Sequence, residues 1–126
     1  MAYFIDLKTI TDNRGSLTVV EKVLPFSIKR VYYIYGVGKE ARAGHRHKET
    51  IQATICVHGS CMVYNNNGKE KTEYTLDNPS QCLILEPEDW HIMHSFSEDA
   101  VLLVISSNEY DPADYIYEEY KDEPEA

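Results

Sequence analysis

Two histidines, His45 and His47, are separated by a single residue near the middle of the 126-residue chain. In a β-strand, alternate side chains point to the same face, so both imidazoles would enter one cavity. Imidazole titrates near pH 6.5, which suits proton transfer at neutral pH, and the neutral ring is also a common metal ligand. The pair therefore indicates acid–base catalysis or a metal site, with a merely structural pair as the alternative.

The elements that must hold this pair are short β-strands. Runs rich in Val, Ile, Thr, Tyr and Phe recur along the chain with turn residues between them. About eight such strands predict an all-β fold, a jelly-roll β-barrel whose ligand site lies at the mouth. The predicted strands span residues 16–22, 28–35, 50–58, 60–64, 69–76, 81–86, 91–96 and 100–106.

Turn residues separate these strands. Residues 58–60 and 65–68 contain Gly and Asn, which tolerate positive φ, so we expect each segment to close a tight hairpin. After the last strand, Asp111 as a cap and Pro112 in the first turn predict a short C-terminal helix that runs to about Tyr120. Residues 121–126 are expected to be a frayed tail.

Length and composition predict one domain that spans residues 1–126, with 43% hydrophobic and 26% charged residues. The longest apolar run, residues 100–105, is far shorter than the roughly 20 residues of a membrane span, and the N-terminus lacks a signal-peptide pattern. Three cysteines without zinc-type spacing are expected to be buried thiols. We therefore expect a cytoplasmic protein that does not associate with membranes.

The negative charge of the chain is concentrated at its C-terminal end. Of the formal net charge of −9, residues 109–126 carry −7, and the other 108 residues carry only −2. A nucleic-acid binder needs a clustered basic face, which the sequence does not show, so we expect no nucleic-acid partner. The body of the domain could still bind an anionic small molecule.

Residues 42–52 around the histidine pair resemble the first cupin motif, and residues 86–91 resemble the strand, turn and strand that return a third histidine to the same pocket. The ligands matching those of metal-binding cupins would be His45, His47, His91 and Gln52. A neutral amide at position 52 neither offsets a divalent charge nor binds as strongly as a carboxylate. We therefore expect no metal and no other cofactor, with Glu49 as the one residue that could restore a metal site.

Further segments extend the resemblance over nearly all of residues 3–120, namely residues 12–17, 25–35, 58–61, 90–97 and 110–116. Together with the histidine segment, they are similar to the dTDP-4-keto-6-deoxyglucose 3,4-ketoisomerases. The resemblance implies a cupin that works without metal on a dTDP-linked keto-deoxy sugar and supplies 3-amino-3,6-dideoxyhexose synthesis. It also implies a homodimer with exchanged N-terminal strands.

Moving a ketone from C4 to C3 requires removal of the C3 proton, an enediol intermediate and delivery of a proton to C4. The resemblance implies that His45 is the base at C3 and His47 its partner, although the sequence leaves open which histidine does which. A diphosphate suits guanidinium forks, and a developing oxyanion needs hydrogen-bond donors. The predicted substrate-binding residues are Arg14, Arg30, Tyr33, Tyr35, Arg42, Trp90 and His91.

The residues at positions 14 and 91 carry a stereochemical implication of the same resemblance. Members with Arg and His at these positions are similar to the subgroup whose product has the galacto configuration at C4, whereas Tyr and Arg accompany the gluco product. Because Arg14 and His91 form the first combination, we expect the galacto product.

Three other functions remain alternatives. A nucleotide-sugar 3,5-epimerase begins with the same proton removal, but it uses a histidine supported by aspartate, and no such pairing is visible in this sequence. A non-catalytic sugar-binding cupin would need an output segment, which 126 residues leave little room for. A metal-dependent dioxygenase would need the metal site that Gln52 argues against.

A homodimer is also expected on physical grounds. A domain this small gains stability from a shared core, and an N-terminal strand ending near residues 12–15 could pair with a neighbour.

Overall fold

The computed structural model describes residues 1–122, which form two five-stranded antiparallel sheets and a separate two-stranded hairpin. The first sheet has the order β1-β9-β6-β11-β4, with bounds Tyr3–Asp6, Gln81–Leu85, Gln52–His58, Val101–Ser106 and Arg30–Tyr35. The second has the order β12-β5-β10-β7-β8, with bounds Tyr115–Ile116, Arg42–His47, Trp90–His94, Cys61–Asn66 and Lys71–Leu76. The hairpin joins β2 (Lys8–Asp12) to β3 (Gly15–Val19).

Apolar side chains from both sheets meet in one core between them. Leu83, Leu102 and Val104 contribute from the first sheet, and Val63 and Met93 from the second, all at 2% exposure or less. The central strands of the first sheet are buried on their other face as well. Burial on both faces explains why β6, β9 and β11 read as nearly continuous apolar runs rather than as alternating ones.

The all-β prediction is confirmed, and all eight predicted strands correspond to strands of the structure. Four further strands lie outside the predicted strand spans, namely β1, β2, β5 and β12. The N-terminal strands are short and mostly exposed, and β5 contains Gly44 with φ +82 beside Ala43 with φ 69. Exposed strands and positive-φ residues weaken the period-2 apolar pattern from which strands are predicted. Among residues 1–122, no helix is long and apolar enough to span a membrane.

The predicted C-terminal helix is wrong. Asp111 does cap a turn, since its side chain accepts the Ala113 N–H, but the resulting 3-10 helix covers only Pro112–Asp114. Tyr115 then turns extended, with φ −89 and ψ 135, and pairs with β5 as β12. Sheet pairing therefore overrides the local helix-start signal, as tertiary context often does. Most of the predicted frayed tail, residues 123–126, lies outside the described residues.

The tight hairpin predicted at residues 58–60 is also wrong. These residues connect β6 in one sheet to β7 in the other, so the flanking strands do not pair. Gly59, with φ +70, makes this sharp crossing against the backbone of Ala100. A strand-to-strand crossing between sheets and a hairpin both need a positive-φ residue, so the glycine alone does not distinguish them. The second predicted hairpin is confirmed, because β7 and β8 pair across residues 67–70.

The antiparallel pair β5 and β10 positions the candidate site. His91 lies opposite His45, and the register shifts immediately after His91. Bulges of this kind are common beside active sites because they redirect side chains. On the other edge of β5, Tyr115 lies opposite His47. Three strands therefore bring their aromatic side chains to one point.

Candidate active site

A cavity of about 400 Å³ opens between the two sheets and is lined by β4 from the first sheet and by β5, β10 and β12 from the second. His45 and His91 form its wall on the second sheet, Tyr115 closes one side, and Arg30 and Arg42 lie at its polar margin. The remaining lining residues are Tyr32, Tyr33, Ile34, Tyr35, Ala43 and Met93. Two sheets, and strands distant in sequence, therefore contribute to one pocket.

Three imidazole rings cluster at this wall. The ring centroid of His45 lies 4.9 Å from that of His47 and 5.1 Å from that of His91. The rings of His47 and His91 are 6.4 Å apart and nearly parallel. The two imidazoles of the pair lie side by side, but the prediction that both enter one cavity is met only by His45. His45 faces the cavity, whereas His47 lies beneath it and is only 4% exposed.

His47 is held by a carboxylate that the sequence reasoning did not identify. Its Nδ1 lies 2.9 Å from Oδ2 of Asp114, and the carboxylate also accepts hydrogen bonds from the Thr50 hydroxyl and the Glu49 backbone N–H. Because an ionised carboxylate only accepts, Nδ1 of His47 carries the proton and donates it. The interpretation that this chain has no His–Asp pairing is therefore wrong: residues 67 positions apart form one.

His91 is oriented by backbone. Its Nδ1 donates to the carbonyl oxygen of Asp89 at 2.9 Å, which leaves Nε2 as the unprotonated nitrogen. The Asp89 carboxylate is itself fixed, because it accepts from the Asn65 amide and from the Glu86 backbone N–H. His91 is 1% exposed, so its ring cannot reorient without disturbing this buried turn.

Burial keeps all three imidazoles neutral. It lowers the pKa of His45 to about 3, with further lowering by His91 and His47. Burial likewise lowers the pKa of His91 to about 4. For His47, burial lowers the pKa although Asp114 opposes it. A neutral imidazole is the form that can accept a proton, but burial also weakens each ring as a base, an effect that Asp114 opposes at His47.

Asp114 stays ionised beside them. Burial acts against its charge, but the hydrogen bonds from Thr50, Glu49 and His47 outweigh that effect and lower its pKa. The site therefore contains one fixed negative charge directly behind a neutral imidazole.

Tyr115 is the second site residue that the sequence reasoning left without a role. Its ring lies 4.6 Å, between centroids, from the rings of both His45 and His47. Both Asp114 and Tyr115 fall in the segment predicted to be helical, which concealed the alternation that points Tyr115 into the pocket. The closeness of Asp114 to His47 depends on tertiary structure and has no local sequence signal.

Five of the seven predicted substrate-binding residues line the cavity, namely His91 in its wall and Arg30, Tyr33, Tyr35 and Arg42 around it. The guanidinium of Arg30 stacks 4.4 Å from the Tyr32 ring centroid, and Arg42 lies near the start of β5. Tyr33 and Tyr35 stack on each other at 5.8 Å and are 63% and 69% exposed. Exposed stacked rings beside two guanidinium groups offer both an aromatic surface and anion-binding donors.

Two predicted substrate-binding residues lie elsewhere in this chain. Arg14 is in the β2–β3 hairpin, where it is exposed and bound to Asp12 through a 2.6 Å ion pair. Trp90 is 6% exposed and does not line the cavity, and its Nε1 donates to the Tyr117 carbonyl. Trp90 therefore packs beneath the C-terminal segment.

Gln52 and Glu49 are the two residues that decide whether the histidine cluster could form a cupin metal site. Gln52 donates through Nε2 to Tyr32 and Ser106, and its Oε1 is buried without a partner. Glu49 is exposed, with its backbone bound to Asp114. Within the described part of the chain, no three His, Cys, Asp or Glu side chains are arranged to hold a metal ion. Three imidazoles and a neutral amide leave the charge of a divalent cation unbalanced, so this set fits the cation less well than one that includes a carboxylate.

A two-sheet fold with neutral imidazoles, a carboxylate and a tyrosine at one pocket defines an acid–base enzyme of the cupin type. The model of the family described as "FdtA: WxcM-like, C-terminal" matches residues 2–124. The chain belongs to this family.

Characterised relatives support the same assignment. The chain is 47% identical over 122 residues to the TDP-4-oxo-6-deoxy-alpha-D-glucose-3,4-oxoisomerase of Aneurinibacillus thermoaerophilus, covering 93% of this chain and 88% of that protein. A 3,4-ketoisomerase from Helicobacter canadensis superposes with a TM-score of 0.89 at 37% identity, covering 93% of this chain and 90% of the other.

A point mutant of the 3,4-ketoisomerase QdtA from Thermoanaerobacterium thermosaccharolyticum, solved in complex with TDP-4-keto-6-deoxyglucose, gives a TM-score of 0.90 at 40% identity. The match covers 93% of this chain and 87% of that one. The prediction of an enzyme of the 3,4-ketoisomerase class is confirmed.

Proposed function

We propose that this protein moves the ketone of a dTDP-linked 4-keto-6-deoxy-D-glucose from C4 to C3. The observation that carries the proposal is the cluster of neutral imidazoles at the cavity wall, with His45 facing the cavity and His47 held behind it by Asp114. The relatives that act on, or bind, this type of nucleotide sugar support the choice of substrate.

The reaction needs only proton transfers. His45 takes the proton from C3, the electron pair moves into the C3–C4 bond, and the C4 oxygen is protonated to give an enediol. The C3 hydroxyl then loses its proton as C4 gains one, which leaves a ketone at C3 and a hydroxyl at C4. His47 is the partner that moves protons between the oxygen atoms. Atoms and electrons balance without an oxidant, a reductant or a metal.

Substrate recognition follows from the cavity margin. Arg30 and Arg42 provide guanidinium donors for the diphosphate and the developing oxyanion, and His91 completes the polar wall. Tyr33 and Tyr35 offer their stacked, exposed rings to the sugar or the base. Trp90 contributes indirectly, because it supports the segment that carries Tyr115.

The product is proposed to have the galacto configuration at C4, on the basis of His91 in the cavity wall and Arg14 in the hairpin. The 3-keto product would then supply an aminotransferase that makes a 3-amino-3,6-dideoxyhexose.

The free buried cysteines fit the proposed cytoplasmic location.

A homodimer with exchanged N-terminal strands is proposed to complete the site. The β2–β3 hairpin pairs with neither large sheet, and it leaves Ile10 and Leu17 at 50% and 59% exposure. Burial of such side chains against a second copy would contribute about 25 cal/mol per Å². Light scattering at micromolar concentration is expected to give twice the 14.5 kDa chain mass, and a monomeric mass would refute the exchange.

Epimerisation is the second candidate function, because the His47–Asp114 pair and the neighbouring Tyr115 supply the groups that such chemistry uses. Both reactions begin beside the C4 ketone. Removal of protons at both C3 and C5, with the ketone retained at C4, would identify the epimerase.

Proton NMR in deuterated water, with a chelator present, distinguishes these functions. Incubation with dTDP-4-keto-6-deoxyglucose is expected to give a 3-keto sugar whose C4 position carries solvent deuterium, while C5 retains its proton. Absence of turnover and of exchange at every carbon would favour a sugar-binding protein.

Replacement of the base provides the corresponding residue test. His45→Asn removes the group that accepts the C3 proton and is expected to lower kcat by at least about 100-fold. His58→Asn is the matched control, because the exposed His58 imidazole lies beside the exposed Asp99 and does not line the cavity. Full turnover by the His45 variant would eliminate the assigned role.

A further inference from the structure

We propose that Asp114 is a positioning residue that fixes His47 in the tautomer with the proton on Nδ1 and a bare Nε2. The inference rests on the proposed isomerase function, since it assigns a residue to that same site. Three hydrogen bonds to the Asp114 side chain, the burial of His47 and its unpartnered Nε2 atom support this role.

The hydrogen bonds leave the Asp114 carboxylate little freedom. Oδ1 accepts the Glu49 backbone N–H at 2.8 Å, and Oδ2 accepts both the Thr50 hydroxyl and Nδ1 of His47. The Lys48 N–H also donates to the Asp114 carbonyl oxygen at 2.8 Å, so backbone and side chain of this residue are both anchored. A carboxylate fixed in this way can only accept from Nδ1, which decides the tautomer of His47.

The other nitrogen of His47 is the one left for chemistry. Nε2 is buried and has no hydrogen-bond partner among the described residues. A buried acceptor without a partner is costly, and such atoms are often retained for function. When Nε2 takes up a proton, the ring becomes an imidazolium, and the Asp114 charge beside Nδ1 stabilises it.

Several charged or titratable groups face His47 besides Asp114. From the elements packed around it, these are His45 on β5, His91 on β10, Tyr115 on β12 and Arg30 on β4. Asp114 is the only negatively charged group among these neighbours. Its removal therefore takes away the one charge that favours the protonated form.

The substitution Asp114→Asn tests the tautomer directly. The Glu49 N–H needs an oxygen acceptor, so the amide oxygen is expected to occupy the Oδ1 position and the amide nitrogen the Oδ2 position. That nitrogen then donates to Nδ1 of His47 and moves the ring proton to Nε2, which can no longer accept. A loss of about 100-fold or more in kcat is expected, with KM changed less than about threefold.

Asp111→Asn is the matched control, because Asp111 caps the same 3-10 turn through the Ala113 N–H without contacting His47. It is expected to retain kcat within about twofold. Equal losses of kcat in both variants would show that Asp114 merely holds the turn.

Nitrogen-15 NMR of the imidazoles supplies a readout that needs no substrate and that tests the tautomer in the unmodified protein itself. In the unmodified protein, the His47 signals are expected to show a protonated Nδ1 and an unprotonated Nε2, and in Asp114→Asn the reverse. The His47→Asn spectrum identifies which signals to read. A protonated Nε2 in the unmodified protein would overturn the proposal outright.

The two failures are distinguishable. If the unmodified enzyme forms no 3-keto sugar, the proposed function fails while the NMR result still stands. If it is active and Asp114→Asn retains both kcat and the Nδ1–H tautomer, the positioning role fails alone.

Discussion

The buried imidazole of His91 makes the stability of this protein depend on pH, and the variant His91→Asn isolates that dependence. An ordinary histidine has a pKa of 6.5, and burial lowers that of His91 to about 4 in the folded protein. The folded state therefore prefers the neutral ring, whereas the unfolded chain protonates it below pH 6.5. Its stabilising contribution is complete above pH 6.5 and is lost as the pH falls towards 4.

The size of the effect follows from the shift in pKa. One pKa unit corresponds to about 1.4 kcal/mol, so the shift of His91 is worth about 3 kcal/mol, expressed as a slope of at most about 1.4 kcal/mol per pH unit. Asparagine does not titrate, and its amide can still donate to the Asp89 carbonyl that holds Nδ1 in the native protein. The variant should therefore lose stability less steeply between pH 6.5 and pH 4.

Urea unfolding followed by tyrosine and tryptophan fluorescence at half-unit pH intervals gives both slopes. The difference between the unmodified protein and His91→Asn removes the contributions of titrating groups distant from His91, and it retains the change at His45, whose pKa His91 lowers. Leu102→Ala serves as a control, because it lowers the stability without removing a titratable group and should leave the slope unchanged. Parallel curves for the unmodified protein and His91→Asn would refute the argument that burial holds His91 neutral.

Two further predictions concern the framework of the site. Gly59→Ala places a Cβ about 2.8 Å from the Cα of Ala100, at a residue with φ +70. This variant should lower the free energy of unfolding by at least about 2 kcal/mol. Gly38→Ala is the control, because open space surrounds Gly38, and it should change the free energy of unfolding by less than about 1 kcal/mol. Equal urea midpoints for the two variants would contradict this. Leu102→Ala removes a fully buried side chain from the core between the sheets. Urea unfolding should show a loss of about 2–5 kcal/mol in the free energy of unfolding. A loss below about 1 kcal/mol would indicate that the core repacks into the space left by the leucine side chain.

Local sequence patterns were sufficient for the class of fold. Strands such as β4, with its alternating exposure, and β11, with its apolar run, carry the periodicity of sheet structure whatever their neighbours are. The sequence was also sufficient to place the His45 and His47 side chains on one face of a strand, since side-chain alternation is a property of the strand backbone itself.

The secondary structure of the C-terminal segment could not be predicted from local sequence. Asp111 and Pro112 start a turn as predicted, but whether the chain continues as helix or strand depends on the open edge of β5. A pairing of that kind joins residues nearly 70 positions apart, and no local preference encodes it.

The sequence by itself determined that this chain is an all-β protein with a pair of histidines on one face, and resemblance extended that to the ketoisomerase class. Only the tertiary structure decided that His45 faces the cavity while His47 lies beneath it, and that Asp114 and Tyr115 belong to the site. The physical reason is that burial and hydrogen-bond partners, which set the protonation of these rings, arise when distant strands pack together.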